Sequence, residues 1–322
     1  MTSLPTAVDA AATPEEGTRA VVEDDTTYRA LVARLSRQSV DKHFDAYADV
    51  DWDAPDHRID PTDPRWVHAL GDPLVDTDWF AALPAADQAR LGLNLVVVRM
   101  KLGLQFENVL QRGLLDYAID LANNDPEFRY AYHEIIEEGH HTLMFQEFIN
   151  RSEIDTRGLG RAELTAARAV VLAARCFPEL FFFFVLGGED PIDYVQRRSL
   201  RGQAELPPLL ERIMRIHVTE EARHLSFARH HLKRAVPALG PVRRTALSVA
   251  LPGVLGVMSW MMLGVPSEVV RAFHVPRTAL LQARRANPQA RADAVRKVRE
   301  LADELGLVGP IPRILWQIAG LV

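Results

Sequence analysis

Glutamate and histidine recur at helical spacing in three stretches of the sequence, a pairing of side chains suited to holding metal ions. The first stretch carries Glu107, with Leu104, Leu110 and Leu114 at i−3, i+3 and i+7. That spacing sets a carboxylate within an apolar stripe, where it must be paired, protonated or metal-bound to be tolerated. Gln111 at i+4 leaves a plain helix-edge position open as the alternative. The second stretch reads Glu137-Glu138-Gly139-His140-His141. Residues at i and i+3 share a helix face, so two registers are available, Glu137 with His140 and Glu138 with His141. In the third, His217, Glu221 and His224 fall at i, i+4 and i+7, and Leu210, Met214 and Ala228 continue the same stripe. The charges Arg212, Arg215, Glu220 and Arg223 largely occupy other faces.

A fourth helix must supply one more carboxylate, and the run Phe181-Phe182-Phe183-Phe184 marks it as deeply buried. Glu179 follows Pro178 and would sit in a first helical turn, where the helix dipole stabilises a carboxylate without metal. Glu189 has Phe182, Val185 and Leu186 at i−7, i−4 and i−3, an apolar stripe leading to it. Burial favours Glu189. A Glu on each of two helices with Glu-x-x-His on each of the other two is the pattern of dimetal carboxylate bundles. The halves also echo each other: Glu137 to His141 aligns with Glu220 to His224 as Glu-Glu-x-x-His. This alignment selects Glu138 and His141, and sets Glu134 opposite His217. His133, Glu137 and His140 repeat the spacing of His217, Glu221 and His224, which keeps a register offset by one open. The inferred ligand set is Glu107, Glu138, His141, Glu189, His217, Glu221 and His224. Four carboxylates and three imidazoles suit two iron or manganese ions. Structural zinc would more often recruit cysteine, and the chain has one, Cys176.

The elements that must position these residues read as all-α. Tyr28 to His43 has the pattern of an amphipathic helix, and Asp51 to Asp78, rich in Asp, Pro and Trp, reads as an ordered loop. A helix is expected from Pro84–Arg90 to about Leu121, and another from Asp125-Pro126 to about Ile149. A third runs from Arg161 to Leu186 or beyond, where Gly187-Gly188 and Pro191 should stop or distort it. A fourth follows Pro207-Pro208 to about Ala235, and two or three more close the chain. The apolar stretch Ala246 to Val265 is interrupted by Pro252 and three glycines, and reads as a buried helix pair rather than a membrane span. Residues 1–25 read as a disordered leader. Residues 26–322 read as one domain, with the metal-binding core at about 90–235. Cys176 is expected to be buried, and His230-His231 to form a partly exposed face. Arg284-Arg285 and Arg296-Lys297 read as solvated helix faces.

Composition sets the outer limits. The chain has 322 residues, is 48% hydrophobic and carries a net charge of −6 with a pI near 6.0. That balance argues against a nucleic-acid partner. One cysteine excludes an intramolecular disulfide framework and makes a reducing, cytoplasmic setting the default.

From Leu93 to His231 the pattern resembles the p-aminobenzoate N-oxygenase (AurF-like) family, whose members have a ferritin-like four-helix core and a non-haem di-iron centre. His217 resembles the extra histidine that the family adds to the usual two-histidine carboxylate site. The interval from Glu189 to His217 is similar to the family's, whereas that from His141 to Glu189 is shorter than in its arylamine enzymes. The resemblance implies two iron ions, O2, an external electron donor and a small amine substrate, such as an arylamine, in bacterial natural-product pathways. The products would be a hydroxylamine, nitroso or nitro compound. Glu137 and Glu220, each preceding a ligand Glu, are candidates to hydrogen-bond ligand histidines from behind. The alternatives are a di-iron hydroxylase or desaturase acting on C–H bonds of a carrier-tethered substrate, and an iron-binding bundle without turnover. A homodimer is the commonest state for such a chain.

Overall fold

The computed structural model describes residues 25–286 and 289–321; the expected leader lies outside them apart from Asp25. Among the described residues there are thirteen α-helices and no strands. They are α1 (Asp25–Asp41), α2 (Asp78–Ala81), α3 (Ala85–Ala118), α4 (Pro126–Ser152), α5 (Arg161–Cys176), α6 (Pro178–Arg201) and α7 (Pro208–Ala235). Then follow α8 (Pro241–Leu263), α9 (Ser267–Ala272), α10 (Arg277–Ala286), α11 (Ala290–Ala294), α12 (Arg296–Glu304) and α13 (Pro310–Ile318). Six helices follow α7, where two or three were expected.

The bundle is α3, α4, α6 and α7. Short connections make α3 an antiparallel neighbour of α4, and α6 of α7; the longer path between the pairs carries α5. One long crossover in a four-helix bundle is the ferritin-like topology. α1 packs on α4 and α7, α5 on α3 and α6, and α8 on α6. Local chemistry sets the helix starts. The Asp125 carboxylate accepts from the Glu127 N–H, and Pro126, Pro178 and Pro208 each occupy a first turn, where a missing N–H costs nothing. α4 ends where Glu153 turns left-handed at φ 56°.

Several expectations are corrected here. The stretch from Arg161 does not run on to Leu186: Phe177 leaves the helical region (φ −148°, ψ 68°), as a residue before proline tends to, and Pro178 starts a new helix. Gly187-Gly188 and Pro191 do not stop that helix, which continues to Arg201 with Pro191 inside it. The apolar stretch 246–265 lies in one helix, α8, not a pair. By length and composition α8 could cross a membrane (mean hydropathy 1.8, with 39% of that stretch buried). In the fold its Leu255 and Met258 pack against Gly187 of α6. Cys176, expected inside, is exposed at the end of α5. Phe184, unlike the three phenylalanines before it, is only half-buried and packs on Phe106.

Two apolar cores flank the middle of the bundle. On one side Phe106, Leu110, Phe182 and Phe227 pack together; on the other Val97, Met100, Phe148 and Met214 do. Between them the same helices present their acidic and imidazole side chains. The α3–α6 contact is close. A Cβ on Gly188 would lie 2.0 Å from Phe106 Cζ, and Phe106 neighbours Glu107. Gly188→Ala is therefore expected to destabilise the protein by about 1–3 kcal/mol, the usual cost of overpacking. A urea midpoint would read this as a drop; an unchanged midpoint would show that the ring moves freely.

A second polar group lies at the start of α4. Glu127 is buried and accepts from Tyr117 Oη and from Arg234 at 2.5 Å, with His231 Nδ1 3.5 Å away. His231, expected to be partly exposed, is therefore buried, and stacks on Phe182 at 4.2 Å. Burial alone would raise the Glu127 pKa, but His231, Tyr117 and Arg234 outweigh it and hold the carboxyl at about 2, against 4.5 ordinarily. A depressed folded-state pKa stabilises above the unfolded value and is lost as pH falls through the folded one. The shift corresponds to about 3 kcal/mol. Glu127→Gln should thus unfold more easily at pH 7, and the difference from the parent should shrink below about pH 4.5. Parallel stability curves from pH 7 to pH 3 would contradict this.

Candidate metal centre

The four bundle helices bring Glu107, Glu138, His141, Glu189, His217, Glu221 and His224 together in the interior, and all seven are fully buried. Two groups of donor atoms form there: Glu107, His141, His217 and Glu221 in one, and Glu138, Glu221 and His224 in the other. In each group the atoms lie within 4.8 Å of one another. Glu221 belongs to both. Its Oε1 is 3.6 Å from His141 Nδ1, 3.8 Å from His217 Nε2 and 3.1 Å from His224 Nδ1. Glu138 lies between two imidazoles, with Oε2 2.9 Å from His141 Nδ1 and Oε1 2.9 Å from His224 Nδ1. Glu189 stands outside these tightest groups. Its charge nonetheless acts on Glu107 and Glu221, and neither of its buried oxygens has a hydrogen-bond partner. Glu179 is elsewhere, in the first turn of α6, where Arg243 pairs with it at 3.0 Å.

Behind the cluster the glutamates cross over. Glu137 Oε2 accepts from His224 Nε2 at 2.8 Å, and Glu220 Oε2 from His141 Nε2 at 2.9 Å. Each glutamate that precedes a cluster carboxylate on one helix thus orients the imidazole on the other. The Nδ1 atoms are left facing the carboxylates. Arg223 donates to Glu137 at 2.8 Å and reaches Glu220 at 3.5 Å, and the Phe44 N–H donates to Glu220 at 3.1 Å. The sequence pattern missed Arg223 and the segment after α1: Arg223 falls on a face that reads as solvated, and residues 44–46 follow the helix in an irregular stretch. His140 turns away from the cluster and accepts from the Ala46 N–H at 3.2 Å. Gln111 is taken up by the Glu138 carbonyl and Thr142 Oγ1.

The charges within this set act strongly on one another. Burial first, then the charges of Glu138 and Glu189, push Glu107 well above the carboxylate range; burial and the charges of Glu221 and Glu138 do the same to Glu189. Burial would raise Glu138 too, but the charge of His224 and hydrogen bonds from His141 and His224 hold it well below. Burial lowers His217, whereas Glu138 and Glu220 overcome burial at His141 and raise it to about 10. Glu134, behind the cluster, is pushed up to about 8 by burial. Glu107 Oε2, both Glu189 oxygens, His217 Nδ1 and Glu221 Oε2 have no hydrogen-bond partner. Buried polar atoms are seldom left so. Converging orphaned carboxylate oxygens among imidazoles are a donor set fitted to divalent metal ions.

Fold and cluster together define a helical bundle with a buried carboxylate–imidazole centre. The comparisons narrow the class: the family model for p-aminobenzoate N-oxygenase AurF matches residues 25–306, and the chain belongs to that family of helical, ferritin-like di-iron oxygenases. An uncharacterized protein of Mycobacterium tuberculosis and another of Mycobacterium bovis are each 37% identical to it over 300 residues, covering 92% of this chain and 88% of theirs. No solved structure matches the chain significantly.

Proposed function

We propose that the chain is a di-iron N-oxygenase. Glu107, Glu138, His141, Glu189, His217, Glu221 and His224 would hold two iron ions. The observation that carries this reading is the convergence of orphaned donor atoms on a buried centre in which Glu221 joins two groups of potential ligands. The metal pair, when bound, supplies the two-electron reduction of O2. The balanced first step consumes one amine, one O2, two electrons from an external donor and two protons, and yields a hydroxylamine and water; a nitroso or nitro compound needs further oxidation. The chain's own part is positioning. Glu137 and Glu220 fix the rings of His224 and His141, His217 adds a neutral donor, and the apolar cores on both sides keep bulk water out. A cytoplasmic homodimer serving bacterial secondary metabolism is the setting we propose for it.

The test supplies iron-loaded protein with p-aminobenzoate, a reductant and isotopically labelled O2. Labelled hydroxylamine, nitroso or nitro product that requires Glu138 supports the reading. Oxygen inserted into C–H bonds, or iron uptake without any turnover over a panel of amines, would replace it.

A further inference from the structure

A cavity of about 920 Å³ opens at one end of the bundle, and its inner wall stands one helical turn from the metal centre on all four helices. Gly103 precedes Glu107 by four residues, Phe145 follows His141 by four, Ile192 follows Glu189 by three and Met214 precedes His217 by three. Phe145 is the partition. Its ring centroid is 5.3 Å from that of His217, and Gly103 lets it lie against α3, where a Cβ would sit 3.1 Å from the ring. The lining continues along α3 back to Val96 and along α6 out to Arg198. These stretches, Gly103 back to Val96 and Ile192 out to Arg198, each correspond to about 9–10 Å. This is the upper end of the volume that takes a drug-sized ligand, and one benzene ring with two small substituents fills only a part of it.

The wall has a charge of its own. It contains five arginines, Arg99, Arg198, Arg277, Arg284 and Arg291, against two acids, Asp72 and Asp76, on a chain whose net charge is −6. Three of the five are engaged. Arg99 faces Asp72 at 3.5 Å and donates to the Gly264 carbonyl, Arg198 donates to the Gly71 carbonyl, and Arg291 to the carbonyls of Gly256 and Ala319. Arg277 and Arg284 have no hydrogen bond or ion pair among the described residues. They lie with Leu281 on one stripe of α10, at i, i+4 and i+7, across the cavity mouth. The sequence pattern made Arg284 a plain solvated residue; it is exposed, and it also faces the opening. Deeper inside, Gln196 lines the cavity. It is only 7% exposed, and its Oε1 has no hydrogen-bond partner.

We infer that the cavity binds an elongated, largely apolar substrate ending in an anionic group, carboxylate or phosphomonoester, which Arg277 and Arg284 hold at the mouth. The apolar body passes Gln196 and reaches Phe145, beyond which lies the metal centre. The inference rests on the di-iron reading only for which end of the molecule reacts; the binding itself does not depend on it.

Isothermal titration of the full chain with dodecanoate, dodecyl phosphate, dodecylamine and dodecanol tests this directly. Dodecanoate or dodecyl phosphate should bind at least tenfold more tightly than dodecylamine, and the tighter of the two identifies the anion. In an Arg277→Glu/Arg284→Glu variant that anion should bind at least tenfold more weakly, whereas dodecanol, which needs only the apolar wall, should bind as before. Equal binding of anion and amine, no binding of any probe, or a variant indifferent to the anion would each overturn the inference. A parallel assay with iron, reductant, O2 and an ω-amino dodecanoate separates this failure from that of the proposed reaction. Anion-dependent binding without nitrogen oxidation sinks the reaction and leaves the site. Oxidation of p-aminobenzoate without any anion dependence sinks the site and leaves the reaction.

Discussion

Glu221→Ala is expected to bind at most one metal ion where the parent chain binds two, and to lose most of the stabilisation that metal confers. Glu221 alone belongs to both groups of donor atoms, with Oε1 within 4 Å of three imidazoles and Oε2 free of any hydrogen bond. Its deletion would remove a ligand from each of the two proposed ions at once. The metal-free protein should behave in the opposite sense. Four buried carboxylates and three imidazoles share one interior, and taking away one carboxylate relieves desolvation and mutual repulsion. The metal-free variant should be at least as stable as the metal-free parent. Added ferrous or manganous ion at a hundredfold excess over its Kd stabilises a single-site protein by about 2.7 kcal/mol. The parent should show a gain of this order or more in thermal unfolding, and the variant little of it. A variant that unfolds early without metal and recovers fully with it would mean that Glu221 is a packing residue and not a ligand.

The second large effect is expected behind the cluster. Glu137→Gln keeps the size of the side chain but removes the charge that holds the His224 ring and pairs with Arg223. Such partners of ligating histidines are worth about 10–100-fold in metal affinity. Glu220→Gln should cost a similar amount through His141, since the two sites mirror each other across the bundle. Competition against a chelator measures this. Unchanged affinity in both variants would assign the two glutamates to packing around Arg223 alone.

The site was largely legible in the sequence because its signals are local. His217, Glu221 and His224 share a stripe whatever α7 packs against, and Glu107 sits among leucines whose burial the helical period implies. The register of α4 was harder. Glu137 and Glu138 differ by a rotation of about 100° on the helix, and both are buried: one faces the cluster, the other reaches across to His224. Only the match between the two halves separated them. The break at Phe177 hung on one proline, and a helix that tolerates Pro191 but not Pro178 is decided by what packs around it. His231 and Cys176 misled because burial at single positions depends on neighbours from distant elements, Glu127 and Phe182 in the case of His231. The cavity was not legible at all. Its walls come from all four bundle helices, residues 70–76 and α8 to α11, and no period in the sequence links them.

The most direct measurement is an anaerobic titration of metal-free protein with ferrous ion, with bound iron counted after removal of the excess. Two irons per chain in the parent, and fewer than two in Glu138→Ala and Glu221→Ala, is the predicted result. One iron or none in the parent, or full loading in both variants, would contradict the dimetal centre on which the proposed reaction depends.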